Sequence, residues 1–266
     1  MNVFELSDIH CEDRPGMRSI IDVVSVPEGT DVIVVAGDMG AWMVGRGKDN
    51  RIYTVVVEPL LATGLPVITI GGNHEYYLSD MHEVDQELLA LSETIPNWYH
   101  LQNGTSVVFK DWAFIGATLW TGLAGTDKPI ASKQAMGPLN DRQCIKIGGK
   151  GMTYKDYIAL HQKHLESLAI ALDLAREAGL KTALITHHAP SYRFIPRSYM
   201  NEKASLCFAS NAIAVLKPDV WFFGHIHRHY QEKIGSVLCI ANPMGYVEEG
   251  ILLSQSFLPL DILIKD

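Results

Sequence analysis

Cysteine is scarce: four residues in 266, Cys11, Cys144, Cys207 and Cys239, with no C-x-x-C pair among them. Such scatter argues against a zinc ribbon or a disulfide framework. No apolar run approaches the ~18 residues that a membrane span needs. The opening residues, Met1 to Asp8, lack the basic-then-apolar order of a signal peptide. A soluble, cytoplasmic protein is therefore expected. Positive charge is also in deficit, with 22 Lys and Arg against 30 Asp and Glu, a formal net charge of −8. A chain of that sign gains nothing from counterion release, so long nucleic acid is not a favoured partner. Bound cations would still make a site locally positive. Internal repeats, low-complexity tracts and linkers are absent as well.

What is present is an alternation of short apolar runs with amphipathic stretches. Phe4 to Leu6, Asp31 to Ala36, Pro66 to Ile70, Trp112 to Ala117, Thr182 to Thr186 and Val220 to Phe223 read as buried strands. A long helix is expected after Thr153, an N-cap with Asp156 three residues on. Its Tyr157, His161, Leu165, Leu168, Leu172 and Ala175 recur at helical spacing, and Gly179 closes it. Leu78 to Leu91 and Ala204 to Leu216, the latter stopped by Lys217-Pro218, are further helix candidates. Tyr230 to Ile234, Val237 to Ala241 and Ile251 to Leu253 read as short strands of an antiparallel edge. The pattern predicts a layered α/β fold in one domain over 1–266. The Gly-, Lys- and Asp-rich stretch 121–151 is expected to be a loop or small insertion over the active site, or a plain surface loop.

Polar residues that bind metals follow five of these features: Asp8-Ile9-His10, Gly37-Asp38, Gly71-Gly72-Asn73-His74-Glu75, Thr186-His187-His188 and Gly224-His225-Ile226-His227. In open α/β sheets ligands bind beyond the carboxyl ends of strands, so five such ends would bring about seven N and O donors into one crevice. Residues two apart in extended chain point the same way, which would let Asp8 and His10 grip one ion together, as would His225 and His227 in a bent loop. Each motif alone has a bland reading: Asp-x-His is more often a capped turn with a solvated histidine, and Gly-Asp a simple turn. The ordered set leaves that reading little room. Donors of this type without thiolate suit Mn²⁺, Fe, Co²⁺, Ni²⁺ or Zn²⁺, with Mn²⁺ favoured, over Cu⁺ or Ca²⁺.

This ordered set resembles the calcineurin-like metallophosphoesterase superfamily, whose pattern is D-x-H, G-D, G-N-H-[DE], H and G-H-x-H; the resemblance spans Asp8 to His227. It implies a four-layer αββα sandwich with two mixed sheets and two divalent metal ions between them. Carried over by motif, Asp8, His10 and His227 would hold the first ion, and Asn73, His187 and His225 the second. Asp38 would bridge them. The resemblance favours His187 over His188 because the family ligand is usually the first histidine after the strand. His74 would be the catalytic histidine that binds no metal. Two such ions roughly 3.5–4 Å apart lower the pKa of a bridging water, giving a hydroxide nucleophile, and His74 would assist the leaving group.

The departures narrow the expectation. Protein serine/threonine phosphatases follow Gly-Asn-His-Glu with Cys-Arg and carry Asp-Arg-Gly after the second motif; here Tyr76-Tyr77 and Met39-Gly40-Ala41 stand instead. The arginine fork that clamps a monoester dianion is missing from both places. Purple acid phosphatases place a tyrosine three residues after the bridging aspartate, where this chain has Ala41. Recombination nucleases of the superfamily usually carry extra domains that this chain has no room for. A phosphodiesterase acting on a small phosphoester is expected. A phosphomonoesterase or nuclease of the same superfamily, or a non-catalytic scaffold retaining the fold, are the alternatives. Arg142 or Arg193 would supply a clamp only by folding into the site. Of His161 and His164, one is expected at the core edge and the other in solvent.

Overall fold

A computed structural model of the chain describes residues 1–200, 202–251 and 253–264. Its strands are β1 Asn2–Leu6, β2 Val32–Val35, β3 Val67–Ile70, β4 Ser79–Asp80, β5 Trp98–Leu101, β6 Thr105–Phe109, β7 Trp112–Ala117, β8 Ile145–Ile147, β9 Lys150–Gly151, β10 Lys181–Thr186, β11 Val220–Phe222, β12 Tyr230–Ile234, β13 Val237–Ala241 and β14 Leu258–Pro259. The helices are α1 Glu58–Leu61, α2 Met81–Thr94, α3 Pro129–Met136, α4 Asp141–Cys144, α5 Tyr154–Glu177 and α6 Leu260–Leu263.

One sheet runs β14-β1-β2-β3-β5 and a second β12-β13-β11-β10-β7-β6. Both are parallel inside and carry antiparallel edges: β14 on the first, β12 and β6 on the second. The period of two then sorts the side chains. Val32 and Val34 of β2, Trp112 and Phe114 of β7, and Ala183 and Ile185 of β10 meet in the core between the sheets. Ile33 and Val35 point the other way, onto Val56, Leu60, Val84 and Leu88. Ala113, Ile115 and Leu184 pack on Leu168, Leu172 and Ala175 of α5. Strands buried on both faces explain why the sequence shows continuous apolar runs such as VIVV rather than alternation. The result is an αββα sandwich, with helices on both outer faces and a third, three-stranded sheet β4-β8-β9 at its margin.

The helix after Thr153 forms as expected: Thr153 and Asp156 make a reciprocal capping box, and Gly179 takes the left-handed φ of +71° beyond the last turn. The helix placed at Leu78 begins at Met81, because Ser79 and Asp80 pair with β8 and Asp80 caps the turn through His82 N–H. The helix expected over Ala204 to Leu216 does not form. Ala189 N–H donates to Phe208 O (3.1 Å) and Ser210 N–H to Ala189 O (3.1 Å), an extended pairing that leaves only short 3₁₀ turns at Lys203–Cys207 and Ala212–Ala214. Of the strand expected at Ile251 to Leu253, Ile251 and Leu253 are outside any strand and Leu252 lies outside the described residues.

His161 and His164 are both buried, against the expectation that one would face solvent. His161 hydrogen-bonds the Trp120 carbonyl and His164 Nδ1 accepts from Leu119 N–H, so the pair ties α5 to the chain after β7. Burial keeps both neutral, His164 pushed down to about 3. Trp42 and Cys11 are core residues. Among the described residues no helix is long and apolar enough to cross a membrane.

Glu5 of β1 is 1% exposed, and neither carboxyl oxygen has a hydrogen-bond partner among the described residues. Burial, reinforced by the Asp8 charge, raises its pKa well above the ordinary 4.5. An acid whose folded pKa exceeds its unfolded value subtracts stability as pH rises between the two. Glu5→Gln should therefore melt near the wild-type temperature at pH 4. It should melt higher at pH 7–8, by on the order of a few degrees. Calorimetry of both proteins across that range checks it, and a difference independent of pH would contradict it.

Candidate metal centre

Five strand ends deliver the polar motifs to one place. Asp8 and His10 follow β1, Asp38 follows β2, and Asn73 and His74 follow β3. His187 directly follows β10, and His225 and His227 lie just past β11. Three ends thus come from one sheet and two from the other. Asp8, His10, Asp38, His225 and His227 all have left-handed backbone, with φ between +46° and +67°. The extended geometry expected for Asp8 and His10 is therefore not what aligns them. A left-handed residue at each position turns both side chains inward. Such φ values cost roughly 1–3 kcal/mol each outside glycine and concentrate at functional sites. Close approach does the rest: a Cβ on Gly72 would lie 2.1 Å from Asp38 Oδ1.

The seven expected donors meet. Asp38 Oδ2 lies 3.2 Å from His187 Nε2 and 3.8 Å from His10 Nε2. His187 Nε2 is 3.1 Å from Asn73 Oδ1 and 3.2 Å from His225 Nδ1. On the other side His10 Nε2 and His227 Nε2 are 3.2 Å apart, with Asp8 Oδ1 3.4 Å from His227 Nε2. Asp8, His10 and His227 can offer ligand atoms within 4.8 Å of one another, and so can Asp38, His187 and His225. His188 does not join them: its Nε2 meets the Tyr157 hydroxyl at 3.1 Å and its Nδ1 the Thr118 carbonyl. His187 Nδ1 donates to the Ala36 carbonyl (3.0 Å), so Nε2 is the atom that faces the cluster and, once it gives up its proton, offers a lone pair to a cation.

His74 falls in a third group with His10 and Asp38, yet both its nitrogens have other partners. Nδ1 is 2.7 Å from Glu12 Oε1, and Nε2 is 3.1 Å from the Tyr246 hydroxyl. Its ring stacks on Tyr77 with centroids 4.2 Å apart.

The electrostatics are those of carboxylates short of positive charge. Burial opposes ionisation of Asp8 and Asp38, yet nearby imidazoles hold both below the ordinary range. The same carboxylates overcome burial at the histidines: Asp38 takes His187 up to about 10, and Asp8 takes His227 up to about 9. Glu12 is held at about 2 against its burial by hydrogen bonds to His10 and His74. Lone-pair nitrogens and carboxylate oxygens facing one another at 3.2–3.8 Å need protons or cations between them. A mixed N and O set without thiolate fits divalent transition ions.

Comparison with known proteins decides the class. A family model described as calcineurin-like phosphoesterase matches residues 1–229. The chain belongs to the calcineurin-like phosphoesterase family. The phosphoesterase shares its fold with phosphopantetheinyl hydrolase (PptH) from Mycobacterium tuberculosis: 15% identity, TM-score 0.58, covering 93% of this chain and 90% of that one. It is similar to TT1561 of Thermus thermophilus (13% identity, TM-score 0.56, 98% and 95% covered). It is also similar to a dimetal phosphatase from Danio rerio (14% identity, TM-score 0.52, 93% and 88% covered). No curated protein matches the chain by sequence. The phosphoesterase is thus a metal-dependent hydrolase with groups of residues able to hold its ions.

Several residues around the phosphoesterase centre carried no sequence signal that singled them out. Glu249 Oε2 meets His227 Nδ1 at 2.6 Å, and Asp141 Oδ1 accepts from Asn73 Nδ2 at 3.0 Å. Glu12 sits two residues past His10, a spacing that would have found it. Glu75 belongs to a motif, but its task was hidden. It is fully buried, and its carboxyl accepts from Asp38 N–H (3.1 Å), Met39 N–H (2.7 Å) and Gly72 N–H (2.7 Å), tying the second motif to the third. Losing a buried group with three such bonds costs about 3–5 kcal/mol. Glu75→Ala should therefore lower the metal-free melting temperature by roughly 6–15 °C. Calorimetry decides; a variant that melts with the wild type would show that the two turns hold themselves.

Proposed function

We propose that this phosphoesterase hydrolyses small phosphodiesters, with Asp8, His10 and His227 holding one divalent cation, Asn73, His187 and His225 a second, and Asp38 shared by both. When bound, the cations supply Lewis acidity and an activated water; Mn²⁺ is our favoured ion. Asp38 places negative charge between the two positions, and Asp8 and Glu249 act on His227 from its two nitrogens. His74, fixed by Glu12 on Nδ1, keeps Nε2 toward the cavity at the Tyr246 hydroxyl. Burial disfavours its protonated form, but Asp38 and Glu12 favour it more strongly and raise its pKa. A protonated Nε2 at that place can donate to a departing alkoxide. The four cysteines are free, three of them buried, which fits a reducing, cytoplasmic setting.

The observation that carries the diester reading is the wall of the cavity over the donors. This cavity, of about 300 Å³, is lined beside the donors by Pro138, Leu139, Pro196, Tyr199, Phe208 and Ile226, with no lysine or arginine among the described lining residues. Arg142 is exposed and Arg193 pairs with Glu232 at 3.4 Å; neither lines the cavity. A monoester dianion would meet no guanidinium here. A diester carries one charge fewer and a second organic group that gains from apolar and aromatic contact.

Two measurements test the reading. Elemental analysis after Mn²⁺ saturation should find two ions per chain, and fewer than one would remove the dinuclear assignment. With the metal-loaded enzyme, kcat/KM for bis(p-nitrophenyl) phosphate should exceed that for p-nitrophenyl phosphate at matched pH. A clear preference for the monoester would redirect the search to phosphomonoesters.

A further inference from the structure

A carboxamide is nearly symmetric in shape, and only its oxygen can face a cation; its NH₂ end would repel one. What decides which end of Asn73 faces the donor cluster is therefore the set of partners on its other side. Asn73 Nδ2 donates to Asp141 Oδ1 at 3.0 Å and to the Tyr77 hydroxyl at 3.1 Å, while Oδ1 faces His187 Nε2 at 3.1 Å. The Tyr77 hydroxyl gives its own proton to the same Asp141 oxygen at 2.8 Å, so it too presents a lone pair to Asn73. Asp141 is 2% exposed, and its second oxygen is met by the Tyr157 hydroxyl at 3.2 Å. Asp141 Oδ1, which takes the Tyr77 proton, and the Tyr77 oxygen therefore both face Asn73 as acceptors, so this environment admits one orientation of its amide.

We propose that Asp141 is a positioning residue for the second cation, locking the Asn73 oxygen toward His187, His225 and Asp38. The inference rests on the dinuclear reading above. It gives a role to the stretch 121–151, whose segment Pro138 to Asp141 reaches the cavity wall. This stretch supplies no donor of its own. It orients one supplied by β3.

The test is a Mn²⁺ titration followed by electron paramagnetic resonance. The wild type should pass to a spin-coupled pair as the second ion binds. In Asp141→Ala the first ion should bind as before and the second about 10–100-fold more weakly, so that the signal of isolated Mn²⁺ persists past one equivalent. Asp141→Asn, which can still accept from Asn73 and donate to Tyr157, should restore most of the second-site affinity. Asn73→Asp placed in the Asp141→Ala background should restore it as well, because a carboxylate has no wrong end. A purely structural role for Asp141 would leave that double variant as weak as the single one.

Unchanged second-site affinity in Asp141→Ala, or no recovery in the double variant, would overturn the proposal. If Asp141→Ala does not fold, the double variant and Asp141→Asn still decide it: both should bind the second ion, and failure of both to do so while folded overturns it. A wild type that never binds two ions would instead remove the dinuclear reading, and this inference with it.

Discussion

Three carboxylates, those of Asp8, Asp38 and Glu75, are packed into the junction between two sheets with almost no access to water. Burying each unpaired would cost several kcal/mol; the surroundings offset this for Asp8 and Asp38, whereas burial and the Asp38 charge still push Glu75 up to about 8. Glu75 is met by three backbone N–H groups, Asp38 by the His74 N–H and two imidazoles, and Asp8 by Ser7, the His225 N–H and His227. The left-handed turns that bring these groups together are strained, at roughly 1–3 kcal/mol for each. Five of them approach the whole stability of an ordinary domain, about 5–15 kcal/mol. Only the rigid sheets beneath, filled from Val3 to Ile240, can hold such turns in place. The demand for positive charge in a fixed location is thus the constraint that the rest of the molecule serves.

That demand also shapes the cavity, where donors and apolar side chains share the lining. Protons and cations compete for the donors, which is why His187 and His227 are driven up, while burial and the neighbouring imidazoles push His225 down. No lysine or arginine joins them among the described lining residues.

Much of this could be read from residues alone. Interior strands announced themselves because parallel strands buried on both faces require unbroken Val and Ile, and the motifs stood out because they follow such runs. The capping box at Thr153 is local chemistry and survived intact. What could not be read is whatever depends on distant partners. Phe208 and Ser210 gave up helix for pairing with Ala189, and His164 is buried by a turn forty-five positions away. β5 and β6, with polar Tyr99, His100, Thr105 and Ser106 in their faces, lack the apolar signature of the inner strands. Asp141 and Glu249 touch the centre from a one-turn helix and a 3₁₀ turn whose sequences resemble any polar surface. The left-handed backbone of Asp8 and His10 is invisible to a pattern of spacing.

Glu249 and Tyr246 lie past residue 229, where the family match ends, yet they hold His227 and His74. The centre is therefore closed by residues that leave a ribosome long after its first donors. At 5–20 residues per second, Asp8 is made on the order of ten to fifty seconds before the groups that complete its surroundings. Through that interval the acidic turns after β1, β2 and β3 have neither the histidines of the second sheet nor a finished cation site to neutralise them. The order in which the sequence writes the two halves of one site thus leaves its first carboxylates without their later partners for most of synthesis.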